Sequence, residues 1–371
     1  MTGKNIVGIV FSNSYDECLP ELTGLRTMGS VPFAGRYRLI DFTLSNMVNA
    51  GIEDVGVITK ANYHSLMDHI GTGKPWDLSR KTKGLIILPP YSTAEQGGND
   101  DKIASLKGIM GFINRANEEY VLLSDCNTIS NIDIEALTEY HTEKNSDITV
   151  VYKHGQIPSL SDVLVLDLDE DGRAKQIDVT PVTKKTGKYS LSVMFMKKSL
   201  LERFMNEAIS KRYTDFETDL IQRNVGKLNI YGFEAKGYSA TIDSLSTYFK
   251  ASMELLDINN CNELFNSERP VYTKTRDDMP STYGIGSNVK NSLVANGCII
   301  DGEVENSIIF RGVRIEKGAV VRNSIVMQES FVASGSSLDY VIMDKIAVIT
   351  PNKNLSGAEN YPFYIGKGIV I

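Results

Sequence analysis

Six-residue spacing of aliphatic side chains near the carboxyl end most restricts what this chain can fold into. Ile309, Ile315 and Val321 lie six apart, and Val326, Val332 and Leu338 form a second such series. The segment Ile315-Glu316-Lys317-Gly318-Ala319-Val320 fits a hexapeptide repeat: an aliphatic residue, a small or acidic one, two free positions, then a small residue. One hexad per side of a triangular coil stacks the aliphatic residues into an inner column, which reads as a parallel β-helix. Ordinary antiparallel strands also alternate apolar residues, and they are the competing reading of this stretch.

Before about residue 260 the period is different. Short apolar runs at Ile6–Phe11, Val55–Ile58, Gly84–Leu88, Tyr120–Leu123, Ile148–Tyr152, Val163–Leu166 and Leu191–Met196 alternate with helical patterns at Leu39–Ala50, Ala104–Ala116 and Ile134–Lys144. Such alternation predicts an α/β domain with a mostly parallel sheet, whose ligands sit beyond the carboxyl ends of the strands. A length of 371 residues is compatible with two domains. Residues 1–265 form the first, the polar stretch 266–284 with its two prolines reads as a linker, and 285–371 form the β-helix.

Composition narrows the function classes. With 42% hydrophobic and 23% charged residues, the chain reads as a soluble globular protein. A net charge of −7, with no basic stretch to offset it, argues against a nucleic-acid partner. No apolar run approaches the ~20 residues of a membrane span, and no signal-peptide pattern is present. Cys18, Cys126, Cys261 and Cys298 lie far apart without a CxxC pair, as reduced thiols of a cytoplasmic protein would.

The loop after Ile6–Phe11 is the first candidate for chemistry. A phosphate-binding loop there needs closely spaced glycines, so that backbone N–H groups can approach an anion. This one is Ser12-Asn13-Ser14-Tyr15-Asp16-Glu17, with no glycine and two carboxylates.

The run Pro32-Phe33-Ala34-Gly35-Arg36-Tyr37-Arg38-Leu39-Ile40-Asp41-Phe42-Thr43-Leu44-Ser45-Asn46 resembles bacterial ADP-glucose pyrophosphorylases (glucose-1-phosphate adenylyltransferases). The continuations Asn49-Ala50-Gly51-Ile52 and Val57-Ile58-Thr59 match as well, and Leu293–Ile300 resembles the family's entry into its left-handed β-helix. The resemblance covers nearly the whole chain and is nearest to the GlgD type, a second subunit found beside the catalytic one. It implies a Rossmann-like nucleotidyltransferase domain followed by a left-handed parallel β-helix.

Members of the family join ATP and glucose 1-phosphate into ADP-glucose and pyrophosphate, helped by Mg²⁺ and by cations along the triphosphate. Set against the family's motifs, this chain has lost most of the groups that chemistry uses. The glycine loop falls on Asn13–Cys18, its arginine replaced by Cys18, and the phosphate-binding lysine is Met28. The base-recognition segment is Gly98-Asn99-Asp100-Asp101-Lys102-Ile103. Of the two metal carboxylates, Asp125 survives and the other is Thr241; Asp243, two residues on, is a possible substitute ligand. In the sugar-phosphate pocket the Glu–Lys pair becomes Val179 and Thr180, and a glycine becomes Asp162. One carboxylate makes a poor Mg²⁺ site, so no metal and no cofactor is expected on this chain; Mg²⁺ belongs to the catalytic partner.

The resemblance therefore implies a non-catalytic subunit that pairs with the catalytic one, in a hetero-oligomer of tetrameric size, to raise or tune ADP-glucose synthesis for glycogen. A homo-oligomer in isolation is also compatible with it. Arg26, Arg36 and Arg38 are the candidate binding residues for an anionic effector, with salt bridges to neighbours such as Asp41 as the alternative. His64 and His69, on a predicted helix, carry ordinary surface or core roles. Two rival readings stand beside this: an active transferase with compensating residues, and a subunit that senses a nucleotide or sugar phosphate without turnover.

Overall fold

A computed structural model describes residues 3–89, 102–180 and 182–371. Most of the base-recognition segment, residues 98–101, lies outside the described residues, as does Pro181. The amino-terminal domain is built on a nine-stranded sheet. Four strands form its parallel half: β1 (Ile6–Phe11), β2 (Asp54–Ile58), β3 (Gly84–Leu88) and β4 (Tyr120–Asp125). They lie in the order β3-β2-β1-β4, so the chain steps one way from β1 and then returns to its other side. The crevice between β1 and β4 is thus a topological switch point, where ligands of such sheets bind. Phe11 is level with Ile58 on one side and with Asp125 on the other, and Asp125 therefore ends its strand in that crevice.

Every residue of β1, β2 and β4 is buried, which is why these runs lack an alternating pattern. Beyond β4 the sheet continues with Thr186–Lys197, antiparallel to it. Gly8 lets the helix Leu39–Asn49 lie close against β1: a Cβ there would come within 2.6 Å of the Met47 sulfur. The helical pattern expected over Ala104–Ala116 is two short helices, Lys102–Gly108 and Met110–Arg115, broken at Ile109 (φ −105°, ψ 6°). Gly108 and Gly111 flank the break, and glycine is a poor helix former.

The carboxyl-terminal domain is the left-handed parallel β-helix, with three five-stranded parallel sheets as its faces. Ile300, Ile315, Val332 and Ile349 stack on one face, and Val304, Val321 and Leu338 on the second. Ile309, Val326 and Met343 stack on the third. All of these are at most 1% exposed. Each six-residue series in the sequence therefore visits the three faces in turn. The first strand, Thr282–Tyr283, lies inside the stretch read as linker and already pairs with Ile299–Ile300.

The two domains share one hydrophobic core. Ile308, Phe310, Ile325, Met327 and Ile342 of the β-helix pack in the same cluster as Phe33, Phe42 and Tyr248. The Tyr248 hydroxyl donates to the Pro32 carbonyl (2.7 Å), and the Phe249 and Tyr340 rings meet at 6.2 Å. Among the described residues, no helix is long and apolar enough to cross a membrane.

Candidate functional site

The loop after β1 spends its donors on its own carboxylate. Asp16 accepts from the Met28 backbone N–H (2.6 Å) and from the Asn13 side-chain amide (2.7 Å). The Asn13 carbonyl oxygen in turn accepts from the Lys60 N–H (2.7 Å). One backbone N–H and one side-chain amide are thus drawn to an internal carboxylate. Tyr15 takes the left-handed conformation (φ 66°) and buries its ring. Met28 is wholly buried in the domain core, and Cys18 packs against the edge of that core.

Lys102 provides the charge at the centre of the crevice. It opens the helix Lys102–Gly108, and its Nζ lies 2.9 Å from Asp125 Oδ2 and 2.6 Å from Glu217 Oε1. The rings of Phe11 and Tyr15 each lie 5.9 Å from the ammonium. Burial pulls the Lys102 pKa down, but Asp125 and Glu217 outweigh it and hold the group well above the ordinary lysine value. Burial pushes Glu217 up to about 7, against the pull of Lys102. Burial likewise raises Asp162, which faces the same cation. Two cavities touch this cluster, one beside Asp125 and one beside Ser12, each of about 10 Å³. That is room for about one water.

The other positions named from the sequence have structural employment. The Thr180 hydroxyl accepts from the Val163 N–H (3.0 Å) and donates to the Leu160 carbonyl, closing the turn before the strand Leu164–Leu168. Thr241 pairs in register with Thr128 on a short ribbon, their hydroxyls 3.5 Å apart. Asp243 does not act as a substitute ligand. Its carboxylate accepts from the Ser159 N–H (2.8 Å) and from the Ser244 and Thr247 hydroxyls at the start of the helix Leu245–Met253.

The three arginines separate. Arg26 is 3% exposed and forms a two-pronged pair with Asp344 of the β-helix at 3.0 and 2.7 Å, so it fastens the domains together. Arg36 and Arg38 leave the tight hairpin at Ala34-Gly35, both at positive φ, and line a cleft of about 340 Å³ at the domain seam. Lys274, Arg276, Arg311, Lys345 and Lys367 line it with them, against only Asp68 and Glu329. Burial lowers Arg38 to about 10, and burial together with Arg38 and Arg26 lowers Lys345 to about 7. Arg38 also donates to the Ser65 carbonyl and hydroxyl. Convergent cations with too few carboxylates favour an anion. His69 borders the cleft with its ring bonded to Asp41 (2.5 Å), and burial lowers its pKa.

A nucleotidyl transferase family model matches residues 18–258, and a GlmU-like, C-terminal hexapeptide model matches residues 279–360. The glycogen biosynthesis protein GlgD of Bacillus subtilis is 34% identical over 370 residues, covering 100% of this chain and 98% of the relative. Its namesake from Geobacillus stearothermophilus is 39% identical over 371 residues, covering 99% and 97%. The chain belongs to the glucose-1-phosphate adenylyltransferase family, on its GlgD branch. A glucose-1-phosphate adenylyltransferase of Clostridium novyi is 30% identical over 328 residues, with 86% of this chain and 85% of the relative covered.

The Mg²⁺ that serves the family does not fit the residues here. Asp125 is engaged by an ammonium, and Thr241 offers no carboxylate in place of the second ligand. Among the described residues, no group of three or more His, Cys, Asp or Glu could hold a metal ion. Read from sequence, Lys102 lies in the base-recognition segment without a role of its own, and Glu217 is not singled out. The available signal was a lysine set against a retained Asp125. Lys345 was missed as well, because its partners come from the other domain.

Proposed function

We propose that this chain is a non-catalytic, regulatory subunit of glucose-1-phosphate adenylyltransferase in glycogen biosynthesis. It pairs with the catalytic subunit in the cytoplasm and raises or tunes ADP-glucose synthesis there. The observation that carries this reading is Lys102, seated between Asp125 and Glu217 where the reaction needs a metal and a polyphosphate. Loss of one preorganised charge stabiliser costs roughly 10² or more in rate. Here the loop glycines, both phosphate-binding cations and one metal carboxylate are absent together.

Regulation is supported by the cleft at the domain seam. An anion held by Arg36, Arg38 and Lys345 would touch the β-helix and the hairpin of the first domain at once. Binding that favours one arrangement of the two domains would reach a partner subunit through differential contacts, which is what coupling requires. Mixing this chain with the catalytic subunit tests the proposal: ADP-glucose formation should rise, or its response to anionic effectors should change. Rates and effector responses identical to those of the catalytic subunit alone would defeat it.

A further inference from the structure

Lys102 does more than block a site. A buried ammonium is costly unless it is paired and hydrogen-bonded, and this one is met by carboxylates from two remote segments. Asp125 comes from the carboxyl end of β4, and Glu217 from the short π-helix Phe216–Ile221. Their side chains are 1% and 5% exposed, and Asp162 faces the same charge. A second observation points the same way. Neither oxygen of the buried Asp125 carboxylate has a hydrogen-bond partner, Oδ2 being met only by the Lys102 ammonium at 2.9 Å, so the carboxylate keeps ligand capacity that Lys102 leaves unused.

We propose that Lys102 is a tethered replacement for a divalent cation: its ammonium holds Asp125 and Glu217 together as a metal would, and removing it exposes a divalent-cation site. One positive charge on a flexible stem binds both carboxylates without the ligand count or geometry that Mg²⁺ demands. The amino-terminal domain thereby becomes independent of metal at the place where its catalytic relatives depend on it. This inference concerns the isolated chain and stands or falls separately from its pairing with a catalytic subunit.

The experiment uses Mn²⁺ as the probe, followed by its electron spin resonance signal and by thermal unfolding, on the full chain. The wild-type chain should show no saturable Mn²⁺ binding and the same unfolding temperature in Mn²⁺ as in EDTA. Lys102→Met should unfold several degrees lower in EDTA, recover in Mn²⁺, and bind about one ion per chain. Lys102→Met combined with Asp125→Asn should lose that ion. If Lys102→Met does not fold in EDTA, soluble yield with and without Mn²⁺ becomes the readout, and recovery with Mn²⁺ is the expected result. Saturable Mn²⁺ binding by the wild-type chain that Asp125→Asn removes would overturn the proposal. So would a Lys102→Met chain whose stability or yield ignores Mn²⁺.

Discussion

At the carboxyl ends of β1 and β4, three carboxyl groups face a single ammonium in space for about one water. At the seam with the β-helix, seven cations and two carboxylates line a cleft of about 340 Å³. Both places border the amino-terminal domain, yet among the described residues one pairs its charges internally and shows only small cavities, while the other is open and unbalanced. The difference teaches that a crevice at a switch point can be held by its own charges: Asp16 takes up the Met28 N–H and the Asn13 amide, and Lys102 takes up Asp125 and Glu217. The cleft keeps a surplus of positive charge because internal carboxylates meet only part of it: Lys274, Arg276 and Arg311 pair with Asp68, Glu329 and Asp278, whereas among the described residues Arg36, Lys345 and Lys367 form no ion pair.

The comparison can be sharpened first at Arg26, which fastens the two domains beside the cleft. Arg26→Ala would strand a buried Asp344 carboxylate, and losing one partner of such a pair costs about 3–5 kcal/mol. Denaturant unfolding should show that loss as a shifted midpoint. An effect below about 1 kcal/mol would mean that the pair is not the clamp described here.

Arg38 tests the cleft itself. Hydrogen bonds to charged groups are worth about 1.5–3 kcal/mol, so Arg38→Ala should weaken sulfate binding by ~10-fold or more in calorimetry. Lys102→Met should leave sulfate affinity within about twofold, since it removes no cleft cation and the charge it removes is already met by Asp125 and Glu217. If Lys102→Met abolished sulfate binding instead, the two regions would not be separate sites.

Thr180 tests whether the old sugar-phosphate pocket has become structure. Thr180→Val leaves the Val163 N–H and the Leu160 carbonyl without their partner, a cost of about 1–3 kcal/mol in unfolding free energy. An unchanged unfolding midpoint would break this part of the comparison.

The smallest effect is a pH dependence of the cleft. Burial and neighbouring arginines hold Lys345 at about 7, below its ordinary value, so it loses its charge as pH rises through neutrality. An anion prefers the charged form, so sulfate affinity should fall several-fold from pH 6 to 8.5, and Lys345→Met should flatten that profile. Stability runs the other way. The unfolded lysine holds its proton up to its ordinary pKa, so this group's contribution to stability is lost as pH falls from about 10 to 7.

Much of the fold was legible in the sequence because local patterns fix it. The wholly apolar runs that end at Phe11 and Leu123 announced strands buried on both faces, and the six-residue series announced the three faces of the β-helix. The coil lengths were harder to read. Ile299 pairs with Arg314, fifteen residues on, whereas Arg314 pairs with Phe331, seventeen on, because the corners shorten unevenly.

At the site, Cys18, Met28 and Thr241 are reached by matching positions to the family's motifs. The contacts of Lys102 and Arg26 are not. Lys102 meets Asp125 and Glu217 across 23 and 115 residues, and Arg26 meets Asp344 across 318. Contacts at such separations are set by the packed sheet and the domain seam. No spacing along the chain records them.

The most direct test of the central claim is ADP-glucose formation by this chain alone, with ATP, glucose 1-phosphate and Mg²⁺. The account expects no product above a no-protein control, because Lys102 holds the surviving carboxylate and Cys18 and Met28 stand at the family's phosphate-binding cation positions. Turnover by the purified chain that disappears in Asp125→Ala would contradict it.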